Sequence, residues 1–214
     1  PDGYGEKIQQ FVDAGGVFVT TYWSGIANEN DLCFTNGRPG PIREVMGIWS
    51  EEIDALYDGE SNGVSGTCKE FPLGDYQAEI FCDLVHAEGA KVLAEYTTDF
   101  YAGYPAVTAN QYGKGTAYYI AFRSYGSFLQ DFYDEVMREH GIKPVLDIAL
   151  PQGVTVQKRE DERNVFYFLQ NYDDAAHMVE LPAEGFYDVL SETKVGQFVE
   201  LPAYSYRVLK PVEE

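Results

Sequence analysis

A pair of glycines, Gly15-Gly16, separates a helix pattern from a strand pattern, and that junction limits the folds open to this chain. Upstream, residues 4 to 14 set Ile8, Phe11 and Val12 at i, i+3 and i+4, one apolar helix face. Gly15 ends it, as a glycine after the last helical turn does. Downstream, Val17 to Tyr22 is short, continuous and apolar, the pattern of a strand covered on both faces of a parallel sheet. A helix feeding such a strand implies βαβ units. The strand expected before the first helix does not occur in this sequence, and an empty slot there would be an open edge able to pair with another chain. After the strand, Trp23 to Arg43 reads as a long irregular loop that closes on a helical turn started by Pro41. Open α/β sheets carry their ligands at strand ends of this kind.

The rest of the chain divides into two patterns. Ile48 to Leu56 reads as an edge strand, and Tyr57 to Gly66, rich in Gly and Ser, as an exposed loop. Ala78 to Val85 and Lys91 to Tyr96 read as strands around a turn at Glu88-Gly89. Thr97 to Gly103 is a second loop after a strand. Ala106 to Gln111 and Thr116 to Phe122 flank Tyr112-Gly113-Lys114-Gly115, a hairpin signal. Tyr125 to Gly141 is the clearest helix, with Phe128, Leu129, Phe132, Val136 and Met137 in one core-facing stripe. Beyond Lys143-Pro144 no helix pattern remains. Val154–Lys158, Asn164–Leu169, His177–Leu181, Tyr187–Leu190, Gln197–Leu201 and Tyr204–Leu209 are short β runs at regular spacing, as small antiparallel sandwiches show. The expected boundary lies near Ile148, giving domains 1–148 and 149–214, the second too small to be stable without support.

Charge and cysteines narrow the function classes. Asp and Glu number 35 against 15 Lys and Arg, a formal net charge of -20, so nucleic acid and anionic membrane surfaces are poor partners. No apolar run approaches the ~20 residues that span a bilayer. Cys33, Cys68 and Cys82 show no C-x-x-C spacing, and His86, His140 and His177 are scattered, so neither a disulfide framework, a metal site nor a bound cofactor is expected. Free thiols suit a reducing, cytoplasmic compartment.

Three motifs point towards catalysis and stop short of it. Asn28-Glu29 follows a strand as the acid/base pair of barrel glycosidases does. A retaining mechanism needs a second carboxylate about 5–5.5 Å away, on a barrel of typically ~250 residues. His86-Ala87-Glu88 has the H-x-E spacing of class I glutaminases, but no cysteine sits on a glycine-flanked strand-to-helix elbow. Gly113-Lys114-Gly115 lacks the frame of a phosphate loop. No catalytic residue is therefore expected, and two readings remain beside a structural role: a carbohydrate-binding module using Trp23, Trp49 and the 17 tyrosines, and a glutaminase-like enzyme.

Three stretches, AGGVFVTTYWSGIANENDLCFTNGRPGPIREVMGI, HAEGAKVLAEYTTDFYAGYPAVTANQYGKGTAYYIAF and the terminal ELPAYSYRVLKP, resemble in order and spacing the middle and C-terminal domains of family 42 glycoside hydrolases, the β-galactosidases. The resemblance covers nearly the whole chain. It implies a flavodoxin-like, class I glutaminase-like α/β domain that mediates homotrimerisation, followed by a small all-β antiparallel sandwich. It also implies that the two catalytic glutamates and the galactoside substrate belong to a barrel this chain does not contain. Trimer contacts near a neighbour's active-site mouth would make Trp23, Asn28, Glu29 and Arg38 an interface or substrate-entrance loop. Phe100 and Tyr101 are expected on the same edge if their strands are parallel.

Overall fold

The computed structural model describes residues 3–182 and 185–212 and divides the chain into two compact units, Pro1–His140 and Gly141–Glu214. In the first, α1 (Tyr4–Asp13) buries Ile8 and Val12 and stops at Gly15, whose N–H bonds the Val12 carbonyl. β1 (Val17–Thr21) follows, then the loop, a 3₁₀ turn at Gly40–Ile42 and the short α2 (Arg43–Met46). Six more strands follow: β2 (Ile48–Ala55), β3 (Asn62–Gly66), β4 (Asp75–Ala87), β5 (Lys91–Tyr96), β6 (Pro105–Tyr112) and β7 (Gly115–Ile120). The two-residue β8 (Phe122–Arg123) and α3 (Phe128–His140) complete it.

The eight strands form one sheet in the order β1-β7-β6-β5-β3-β4-β2, with β8 beside β4. Only β1 and β7 pair in parallel; the other six pairings are antiparallel. This corrects the expected fold class. A flavodoxin-like sheet needs a helical crossover between successive parallel strands. Here β5 to β7 follow one another through short turns, which can join only antiparallel neighbours. Helix accounts for 14% and strand for 43% of the structure. The first unit is a mixed, largely antiparallel sheet rather than a helix-rich α/β layer.

A second correction concerns Tyr57 to Gly66. Its last five residues are β3, seated inside the sheet between β4 and β5. The two glycines of β3 answer to close packing rather than to a turn. A Cβ at Gly63 would stand 2.1 Å from Thr97 Oγ1, and one at Gly66 would stand 2.2 Å from the Leu73 carbonyl oxygen. The core of this unit is dominated by Tyr96, Tyr101, Tyr118, Tyr119, Phe122, Phe128 and Phe132, all below 2% exposure. β2, read as an edge strand, is the edge opposite β1.

The second unit contains β9 (Val154–Glu160), β10 (Val165–Asn171), β11 (His177–Glu180), β12 (Phe186–Asp188), β13 (Thr193–Val195), β14 (Phe198–Leu201) and β15 (Tyr206–Pro211). They form a five-stranded sheet, β13-β12-β15-β10-β9, and a β11-β14 pair, every pairing antiparallel. Leu169, Val179, Leu201 and Leu209 lie at its centre. Asn171 Nδ2 ties three carbonyls, those of Ala175, Leu201 and Pro202, to the end of β10.

Candidate functional site

The direction of the strands decides which loops share an edge. β1 runs parallel to β7, β7 antiparallel to β6, and β6 antiparallel to β5. β1 and β5 therefore point the same way, and the loops that leave their C-terminal ends emerge on one edge of the sheet. These are the loop carrying Trp23 to Arg38 and the loop carrying Phe100 and Tyr101.

The first loop leaves the sheet sharply. Tyr22 N–H still bonds the Ile120 carbonyl, and Trp23 then adopts a left-handed conformation with φ 66°. Such a backbone is unfavourable for a bulky residue and needs local compensation. Two contacts supply it. The indole lies on Phe81 at 5.0 Å between ring centroids, and the Trp23 N–H donates to Asp83 Oδ2 at 3.3 Å. Half of the Trp23 surface nevertheless remains in solvent, at 54%.

Asp83 is the unusual residue of this edge. It is 2% exposed, and its Oδ2 also accepts from the Tyr119 hydroxyl at 2.5 Å. Its Oδ1 is buried without a hydrogen-bond partner among the described residues. Burial pushes the Asp83 carboxyl above its ordinary range; the Tyr119 hydroxyl, the Trp23 amide and the Arg38 charge pull the other way without cancelling it. Burial likewise drives the Tyr119 phenol well up. The Cys82 thiol is raised by burial to about 11, the opposite of an activated nucleophile.

Beyond Trp23 the loop is internally braced. Asn28 Oδ1 accepts from the amides of Asn30 and Leu32, at 2.9 and 3.1 Å, and Asn28 N–H donates to the Leu32 carbonyl. Asn28 thus acts as a turn former. Glu29 is exposed and, among the described residues, accepts only from Asn30 Nδ2 at 3.1 Å. At the loop's return, Arg38 Nη2 donates to the Glu51 carbonyl at 2.7 Å, and Ser50 N–H donates to the Arg38 carbonyl at 2.8 Å. Arg43 then forms a two-pronged ion pair with Glu88 and donates to the Asn36 carbonyl. A groove of about 700 Å³, lined by Ile8, Phe18, Thr20, Asn28, Glu29 and Phe34 among others, separates the loop from α1.

The H-x-E motif points in two directions. His86 Nε2 meets Glu51 at 2.8 Å and its ring stacks on Trp49 at 4.9 Å, while Glu88 belongs to Arg43. On the second loop the neighbours Phe100 and Tyr101 part company. Phe100 is 77% exposed. Tyr101 has no exposed surface: its ring meets Tyr96 edge-on at 5.0 Å and its hydroxyl donates to Asp54 Oδ2 at 2.9 Å. The structure thus brings Trp23 to the Asp83 carboxylate, ties Arg38 to the Glu51 carbonyl and places Tyr101 beneath the edge as core. Asp83 and Tyr119 escaped the sequence reading. The one signal for Asp83 is a single charge inside the apolar run IFCDLV.

The sequence matches the β-galactosidase trimerisation domain over residues 1–143 and the β-galactosidase C-terminal domain over residues 153–211. It is 46% identical over 211 residues to the β-galactosidase Pbg of Clostridium perfringens, covering 97% of this chain and 30% of that protein. Among solved structures, the β-galactosidase of Rahnella sp. R3 superposes with a TM-score of 0.85 at 46% identity, over 98% of this chain and 30% of the other. Gan42B, a GH42 β-galactosidase, superposes with a TM-score of 0.83 at 33% identity, over 98% and 30%. The chain therefore spans about a third of the length of the proteins it matches.

Proposed function

Since the chain belongs to the family 42 β-galactosidases, as their trimerisation domain followed by their C-terminal domain, we propose that it is the non-catalytic assembly part of a retaining β-galactosidase. Hydrolysis of terminal β-D-galactosyl residues is then the work of the full-length enzyme, and this part contributes to a homotrimer. The observation that carries the reading is the shared edge: Trp23 and Phe100 stand exposed at the ends of two strands that run the same way, over a tightly packed floor. Exposed aromatics on a rigid base are the usual anchors of protein interfaces. Asn28 and Glu29 at the loop tip and Arg38 at its root form the polar surround of that contact, or of a substrate entrance completed by a neighbouring subunit. Tyr101 supports Phe100 from below.

Multi-angle light scattering across a concentration series tests the assembly role. Association beyond a monomer is expected, reduced in Trp23→Ala and Phe100→Ala. A concentration-independent monomer would show that this part does not carry assembly by itself. Nitrophenyl β-galactoside turnover should stay at background; turnover abolished by Glu29→Gln would defeat the non-catalytic reading. Trp49 offers little as a sugar platform, since His86, Arg43 and Gly37 crowd its ring. Calorimetry with galactose should accordingly give no binding heat.

A further inference from the structure

We propose that Asp83 is the positioning residue of the Trp23–Arg38 loop and that its negative charge holds the root at which that loop leaves the sheet. A leucine-sized apolar side chain would suit a site 2% exposed between Cys82 and Leu84 far better than a carboxylate. The acid is moreover only half satisfied, with Oδ1 buried and unpartnered among the described residues. A buried polar group in that condition calls for a reason. Its contacts supply one. From the sheet, Tyr119 donates to Oδ2, and from the loop, the Trp23 amide donates to the same oxygen. Trp23 is the first residue of the loop and Arg38 the residue by which it returns to β2. The carboxylate therefore addresses the point at which the chain turns out of the sheet, while Arg38 is held at the other end by Glu51 and Ser50.

The hold depends on charge. A hydrogen bond to an ionised acceptor is roughly twice as strong as one to a neutral acceptor, so the hold on the Trp23 amide weakens when Asp83 takes up a proton. The neighbouring groups do not compete for that proton. Tyr96, whose hydroxyl donates to the Asp83 and Ala121 carbonyls, and Tyr119 are both held far up by burial, and Cys82 is raised to about 11. Asp54 faces Tyr101 rather than Asp83. Burial pushes Asp83 up from the ordinary carboxylate range, so its proton arrives while most exposed carboxylates are still ionised. The loop then loosens at its Trp23 root as the pH falls. As a control on assembly, this rests on the reading of the loop as a contact edge; as a statement about the loop, it does not.

The chain's two tryptophans make this measurable by ¹⁹F NMR of 5-fluorotryptophan-labelled protein, with the signals assigned by Trp49→Phe. As the pH is lowered from neutrality, the Trp23 resonance should move in a single step, ahead of the exposed carboxylates, while circular dichroism shows the fold intact. In Asp83→Asn it should stay at the acid-limit position throughout. In Tyr119→Phe, which removes the hydrogen bond that favours the anion, the midpoint should move to higher pH. A Trp23 resonance that does not move in the wild type, or that titrates unchanged in Asp83→Asn, overturns the proposal. Light scattering on the same samples keeps the two readings apart. Assembly insensitive to a titrating Trp23 counts against the contact edge and leaves the role of Asp83 standing.

Discussion

Phe100 and Tyr101 are adjacent in the chain and opposite in surroundings, and the difference predicts opposite behaviour. Tyr101→Ala removes a ring packed on Tyr96 and a hydroxyl bonded to Asp54, so it should cost about 3–5 kcal/mol in urea unfolding. Phe100→Ala touches an exposed ring and should stay within about 0.5 kcal/mol, with its effect confined to association. In the second unit, Asp188 gives a pH dependence. Burial alone would raise its carboxyl, but the Leu190 amide and Arg207, whose Nη1 lies 2.9 Å away, outweigh burial and bring it below the ordinary value. A depressed native carboxyl contributes stability that is present above the unfolded value of about 3.9 and lost as pH falls towards the native one. Acid unfolding of this unit should therefore steepen below about pH 4, and Asp188→Asn should flatten that limb in a pH series of urea midpoints. Neither Tyr101 nor Asp83 was legible as a buried residue in the sequence. Their polar partners, Tyr119 for Asp83 and Asp54 for Tyr101, lie 36 and 47 positions away, which local patterning does not register.

The elements divide according to how local their cause is. The hairpin of β6 and β7 was readable because Tyr112-Gly113-Lys114-Gly115 carries its own turn, with Tyr112 paired to Gly115. α3 was readable because its apolar stripe has a helical period; Phe128, Phe132 and Val136 are the residues it buries. β3 was hidden because its small residues mimic a loop, and only their contacts with Thr97 and Leu73 reveal why they are small. Gly66→Ala should therefore destabilise the sheet by about 1–3 kcal/mol, the cost of overpacking against backbone that cannot retreat, seen as a lowered Tm. The fold-class expectation failed for a related reason. One helix and one parallel strand suggested a βαβ series, whereas the turns further along had already committed the remaining strands to antiparallel pairing.

At the scale of the molecule, the formal charge of -20 sets the conditions under which copies meet. Like-charged copies repel, and salt shortens the reach of that repulsion from about 30 Å at 0.01 M to about 8 Å at 0.15 M. Association through the Trp23 and Phe100 edge should strengthen over that range, measured by sedimentation at fixed protein concentration. An interface held mainly by ion pairs would weaken instead. The other edge of the sheet carries a different consequence. Thr116 N–H donates to Gly16 and Tyr22 N–H to Ile120, so the even-numbered residues of β1 face β7. The amides of Val17, Val19 and Thr21 face outward, with no partner among the described residues. In deuterated water their protons should be replaced quickly and those of Phe18, Thr20 and Tyr22 slowly. The strand thus writes its own occupancy into isotope uptake: a fast-slow alternation by residue parity reports a vacant edge, and uniform protection from 17 to 22 reports one that another backbone has filled.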